Sequence, residues 1–219
     1  MYLPYLLQLV SPALPVGAYS YSEGIETLVA TGTIASANTL KSWLETELRC
    51  GAIRLETAAT IRAYRAEGNT DAILYWNAWI SASKETEELR EQSWQMGSAL
   101  RRLLGTIAPS LVPIFDELGD NCNYGIAFAI AASHWQIPLE VVAVGYLHSW
   151  LSNLVGAGVK LIPLGQTQGQ QILIELYPIV EAMATELRSL DDGDLDCCAW
   201  GLSLASMNHE TLYSRLFRS

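Results

Sequence analysis

Apolar residues recur three and four positions apart along most of this chain, the spacing that lines one face of an α-helix. From Leu40 the positions Trp43, Leu44, Leu48, Ala52, Leu55, Ala58 and Ala59 keep that period almost to Gly68, which predicts one long amphipathic helix. Upstream, Ser20 and Glu23 have the S-x-x-E spacing of a capping box, and Gly32 stands where a left-handed glycine stops a helix, so a helix is predicted over about 21–31. Asn69 or Thr70 caps the next, which carries Ile73, Leu74, Tyr75, Trp76, Trp79 and Ile80. Leu89, Met96, Leu100, Leu103, Leu104 and Ile107 share one side of a helix over 85–107 that Pro109 ends. Helices follow over 125–136 and, with Pro138 at the favoured first position, over 139–161. Pro163 and Gly165 then break the chain, and a helix over 167–190 contains Pro178, which predicts a kink or two shorter pieces. An acidic turn over 191–196 caps a last helix through Met207.

No strongly alternating run, internal repeat or Gly/Ser linker interrupts this series. The expectation is an all-α chain: a single helical-bundle domain of about eight to ten helices over 1–208, followed by a tail over 209–219. Residues 141–159 contain no Asp, Glu, Lys or Arg over a length that could cross a bilayer. Tyr146, His148, Ser149, Ser152 and Asn153 fall inside that stretch, however, and Gly145, Ser149, Ser152, Gly156 and Lys160 make one small-polar stripe along it. That pattern fits a buried helix in close contact with a neighbour, not a membrane span.

Charge sharpens the picture. Only 16% of the 219 residues are charged, where an ordinary globular chain carries about 25%. A surface short of charge suggests that other chains cover part of it, so self-association into a homodimer is expected, with the small-polar stripe and the aromatic helix around Leu74–Ile80 as candidate surfaces. The net charge of −10 would repel a phosphate backbone, which excludes nucleic acid as a partner. The first cation is Lys41, so the apolar N-terminus lacks a secretory signal's basic region, and a cytoplasmic location is expected. Four cysteines, two of them the adjacent Cys197 and Cys198, do not make a disulfide framework and are expected to be free thiols.

Candidate chemistry is sparse. Ser81, Ser83 and Lys84 match S-x-x-K without its companion motifs. Asp192, Asp194 and Asp196 imitate the opening of a calcium loop, yet Cys197 and Ser203 occupy its required Gly and Glu positions. No phosphate-binding G-x-x-x-x-G-K-[ST] occurs, and His134, His148 and His209 are too far apart to form a metal pair. No catalytic residue, cofactor or metal site is therefore assigned. The rival reading is an all-α enzyme whose pocket collects dispersed carboxylates and histidines.

Two segments stand out. In 11–24 two prolines and a glycine fix a loop that presents Tyr19 and Tyr21. The tail 209–219 carries Arg215 and Arg218 interleaved with Tyr213, Leu216 and Phe217, residue types that concentrate at interfaces, and so reads as a partner-binding tail.

These segments resemble the urease accessory protein F (UreF) family. Beside 11–26 and the tail, Gln92-Ser93-Trp94-Gln95-Met96-Gly97, Ile137-Pro138-Leu139-Glu140, and Lys160-Leu161-Ile162-Pro163-Leu164-Gly165-Gln166 followed by Gly169-Gln170 are similar to its motifs in the same order. Leu212 stands where a Gln is common, and Tyr19 where a Phe is common. The resemblance implies a non-catalytic, all-helical homodimer that helps load nickel into apo-urease. Its implied partners are accessory protein D (called H in some organisms), the GTPase G and the urease apoprotein. On that reading Tyr19, Glu23, Lys160, Gln166 and Gln170 are the expected contacts for the GTPase. Tyr213, Arg215, Phe217 and Arg218 are those for accessory protein D.

Overall fold

Several helix starts are local chemistry. Asn69 Oδ1 accepts the amide of Ala72 at 3.1 Å, and Thr86 Oγ1 that of Leu89 at 3.3 Å. Ser36 and Thr39 exchange side-chain-to-backbone bonds as a capping box. In the computed structural model, which describes residues 1–219, the elements so started run α1 (Leu3–Leu9), α2 (Ile25–Ala30), α3 (Ala37–Cys50), α4 (Ile53–Arg65), α5 (Thr70–Ser83), α6 (Glu87–Ile107), α7 (Val112–Leu118), α8 (Tyr124–His134), α9 (Leu139–Leu161), α10 (Gln166–Ser189) and α11 (Trp200–His209). Three short 3₁₀ turns lie at Ala18–Ser20, Pro109–Leu111 and Asp192–Asp194, and there is no strand.

Eleven helices exceed the expected eight to ten for identifiable reasons. Pro4 and Pro113 sit in the first turns of α1 and α7, where a missing amide proton costs nothing, so residues that read as breakers are starters. The long helix predicted from Leu40 divides at Gly51, which is extended (φ −80°, ψ 178°). The two-residue connection keeps the apolar phase, so periodicity alone does not reveal the break. It lets α3 lie along α10 while α4 packs on α5 and α8.

Other expectations are corrected. No capping box opens α2: Ser20 sits in a 3₁₀ turn with its hydroxyl donating to the carbonyl of Gly17 at 2.9 Å. The helix begins only at Ile25, after Glu23 (φ 50°) and Gly24 (φ 77°) turn the chain through left-handed conformations. Gly24 is required twice over, because a Cβ there would stand 2.8 Å from that of Ala205 on α11. Pro178 does not divide α10, which runs unbroken for 24 residues. The carbonyl orphaned by this proline is that of Ile174, an exposed residue that water can reach. The acidic turn does not cap α11, whose N-cap is Ala199; Asp192 instead accepts from Arg62 Nε at 2.8 Å. Gly32, by contrast, ends α2 with φ 77° as the pattern predicts.

α8 is the centre of the bundle. Every residue from Tyr124 to Ser133 is buried, as an all-round apolar helix must be. α4 and α6 flank it, and a Cβ on Gly97 of α6 would collide with the Cys122 carbonyl at its approach. α9 packs along α10, and one cluster of 51 buried apolar residues draws on all of the helices, which makes them a single domain. The first part of the small-polar stripe of α9 is met by the chain's own N-terminus, a Cβ on Gly145 lying 2.9 Å from Leu6 and 3.2 Å from Val10, whereas a Cβ on Gly156 would meet nothing within 4 Å. No helix is long and apolar enough to cross a membrane.

Candidate functional site

The end of the bundle where α9 stops and α10 starts gathers three segments distant in sequence. Lys160, in the last turn of α9, places its ammonium 3.4 Å from the carbonyl of Tyr19, 6.0 Å from the Tyr19 ring centre and 5.4 Å from that of Phe217. The amide of Arg218 donates to the carbonyl of Ser20 at 2.8 Å, and Tyr21 Oη donates to Gln95 Oε1 at 2.7 Å. Between the 15–21 loop and α6 this leaves an open groove of about 500 Å³, lined by Tyr19, Trp94, Gln95, Arg102 and Arg218 among others. A second groove of about 170 Å³ runs from Val10 to Lys160 along the small-polar stripe. Gln166 and Gln170 are exposed, one turn apart at the start of α10.

The tail lies on the body of the protein. Glu26, on α2, accepts the amides of Leu216 at 2.7 Å and Phe217 at 3.0 Å. The same carboxylate lies 3.2 Å from His209 Nε2, while His209 Nδ1 lies 3.0 Å from Glu88. Arg215 closes the set at 3.0 Å from Glu88, and Ser22 hydrogen-bonds the Ser219 carbonyl through both its amide and its hydroxyl. Phe217 is consequently 5% exposed, whereas Tyr213 is wholly exposed and Leu216 largely so. Alongside, Trp200, Leu204 and Met207 form an exposed apolar stripe on the outer face of α11.

Inside the bundle a third set converges. The Glu23 carboxylate accepts Gln92 Nε2 and Trp150 Nε1, both at 2.8 Å. Glu56 pairs with Lys84 and accepts the Tyr146 hydroxyl at 3.1 Å. Burial, reinforced by the Glu56 charge, raises the Glu23 pKa above the usual carboxylate range. Burial first, then Glu23 and Glu85, push Glu47 up to about 7, and its Oε2 has no hydrogen-bond partner. The free space beside these groups is about 40 Å³ and 20 Å³ in two small cavities, with no histidine in either wall. Such volumes hold one or two waters, not a substrate. Ser81 accepts from Trp94 Nε1 and Asn123 Nδ2 and donates to the Asn77 carbonyl, so its S-x-x-K match is a packing network.

Of the residues singled out from sequence, Tyr19, Lys160, Phe217 and Arg218 meet at one place, and Gln166 and Gln170 lie on the adjoining face. Glu23 does not join them at the surface, because its carboxylate is turned inward. The residues that clamp the tail were not singled out for that role: Glu26, Glu88, Ser22 and also Gln92, whose Oε1 accepts the Ser219 hydroxyl at 2.5 Å. Gln92 and Gln95 lie in the motif 92–97, and Ser22 and Glu26 in the segment 11–26, whereas nothing local marks Glu88.

The fold and these surfaces define an all-helical domain in which buried polar groups fasten its own segments, while its open grooves lie at the exterior. Residues 34–177 match the UreF family model. The chain is 58% identical over 217 residues to the urease accessory protein UreF of Nostoc sp., covering 98% of this chain and 95% of that protein. It is 48% identical to that of Synechocystis sp., covering 98% and 96%, and 41% identical to that of Alkalilimnicola ehrlichii, covering 98% and 94%. The chain belongs to the UreF family.

Proposed function

We propose that this chain is a cytoplasmic, non-catalytic adaptor in the nickel loading of urease, acting as a homodimer that bridges accessory protein D (H) and the GTPase G on the urease apoprotein. The observation that carries this reading is the junction of Tyr19, Lys160, Phe217 and Arg218, where three family-like motifs are fastened into one exposed surface at the end of α9. On this reading GTPase G is met by Tyr19, Lys160, Gln166 and Gln170, with Glu23 holding the loop from beneath. Accessory protein D is met by Tyr213, Arg215 and Arg218 together with the outer stripe of α11. Phe217 reaches a partner only if the tail lifts from Glu26. Co-purification of the full chain with each partner separately tests the assignment. Lys160→Ala should reduce capture of GTPase G but not of protein D, and Tyr213→Ala the reverse; loss of both or neither by either variant refutes the division.

A further inference from the structure

Two of the four cysteines meet outside the surfaces described above. Cys50 is the last residue of α3, and Cys197 and Cys198 lie in the stretch leading from the 192–194 turn into α11. The amide of Cys198 donates to the carbonyl of Cys50 at 2.6 Å. That one bond bounds the separation of the two Cα atoms. With about 2.4 Å from a Cα to its own carbonyl oxygen and about 1.5 Å from an amide nitrogen to its Cα, the pair stands no more than about 6.5 Å apart. Disulfides span Cα separations of roughly 4.4–6.8 Å.

The two thiols are also accessible, Cys198 being exposed and Cys50 half-buried with its Sγ donating to the Thr46 carbonyl at 3.3 Å. Cys197 is placed differently. It packs against the cluster of Leu89, Ala199 and Leu202, and burial together with Glu85 and Asp196 keeps its thiol from ionising. Cys122 is fully buried.

We propose that Cys50 and Cys198 form a reversible disulfide that ties the end of α3 to the segment entering α11. The oxidant is a low-molecular-weight disulfide such as oxidised glutathione. The thiolate of one cysteine attacks a glutathione sulfur, forming a mixed disulfide and expelling one glutathione thiolate. The second cysteine's thiolate then attacks the protein-side sulfur, closing the Cys50–Cys198 bond and expelling the other glutathione thiolate. Two protein thiols lose two protons and two electrons, and one glutathione disulfide becomes two thiols. In a reducing compartment such a bond is a switch and not a permanent brace. Closed, it anchors the root of the helix that bears Trp200, Leu204, Met207 and the tail.

The test equilibrates the full-length protein with reduced and oxidised glutathione, quenches with an alkylating reagent and maps the peptides by mass spectrometry. Oxidation should remove two alkylatable thiols per chain, join the Cys50 and Cys198 peptides within one chain, and be reversed by dithiothreitol. Cys197→Ser should retain the bond, and Cys50→Ser or Cys198→Ser should lose it. Full alkylation of Cys50 and Cys198 after oxidation, a bond that maps to Cys197, or a linkage found only between chains overturns the proposal.

Discussion

The Lys160 ammonium stands 5.4 Å from the centre of the Phe217 ring, so the last turn of α9 and the tail share one contact. Lys160 thereby has two structural roles, complementing the C-terminal dipole of α9 and lying over two aromatic rings. Lys160 itself is exposed, and each interaction is worth about 0.3–1 kcal/mol. Lys160→Ala should accordingly lower the thermal midpoint by only a few degrees. If the residue is a central contact for GTPase G, capture should fall about tenfold, matching a loss of about 1.4 kcal/mol. Calorimetry and quantitative pull-down on the same preparation decide this; unchanged capture with a lowered midpoint would make Lys160 purely structural.

Glu26→Ala leaves the Leu216 and Phe217 amides and His209 Nε2 without their acceptor. Each orphaned buried group costs about 1–3 kcal/mol unless the tail lifts into water. Detachment is the cheaper outcome, so amide exchange at Leu216 and Phe217 should accelerate by at least about tenfold while α8 remains protected. Unaltered exchange in the tail would show that other contacts hold it.

Tyr213 and Phe217 should respond in opposite ways. Tyr213 is wholly exposed, and its replacement by Ala should change stability by less than about 0.5 kcal/mol. Phe217→Ala empties a packed position and should cost about 3 kcal/mol. Truncation after Asn208 removes both together with His209, so it should destabilise the body as well as abolish tail contacts. Urea denaturation of the three variants orders them.

Glu47 predicts a pH dependence. Its folded-state pKa of about 7 lies above the ordinary value, so the folded protein binds this proton more tightly than the unfolded chain. The stability it contributes is complete below about pH 4.5 and is lost as pH rises through 7, a fall of up to about 3 kcal/mol. Glu47→Gln should flatten that slope and raise the thermal midpoint at pH 8. A parallel pair of midpoint curves from pH 5.5 to 8.5 would rule out Glu47 as the source.

The sequence by itself determined the all-helical class, most helix positions and the family. The cap at Asn69, the stop at Gly32 and the apolar period of α6 act through neighbours three or four residues away, and those separations are written in the chain. The motif around Lys160 was legible for the same reason, as a contiguous string. Only the tertiary structure decided that Lys160 meets Phe217, that His209 sits between Glu26 and Glu88, that Glu56 pairs with Lys84, and that Cys198 reaches Cys50. Each joins residues whose local patterns are complete without the other, and many helix packings satisfy the same apolar faces. The choice among them rests on close approaches such as Gly24 on Ala205 and Gly97 on Cys122, and on which buried polar groups find a partner, neither of which periodicity encodes.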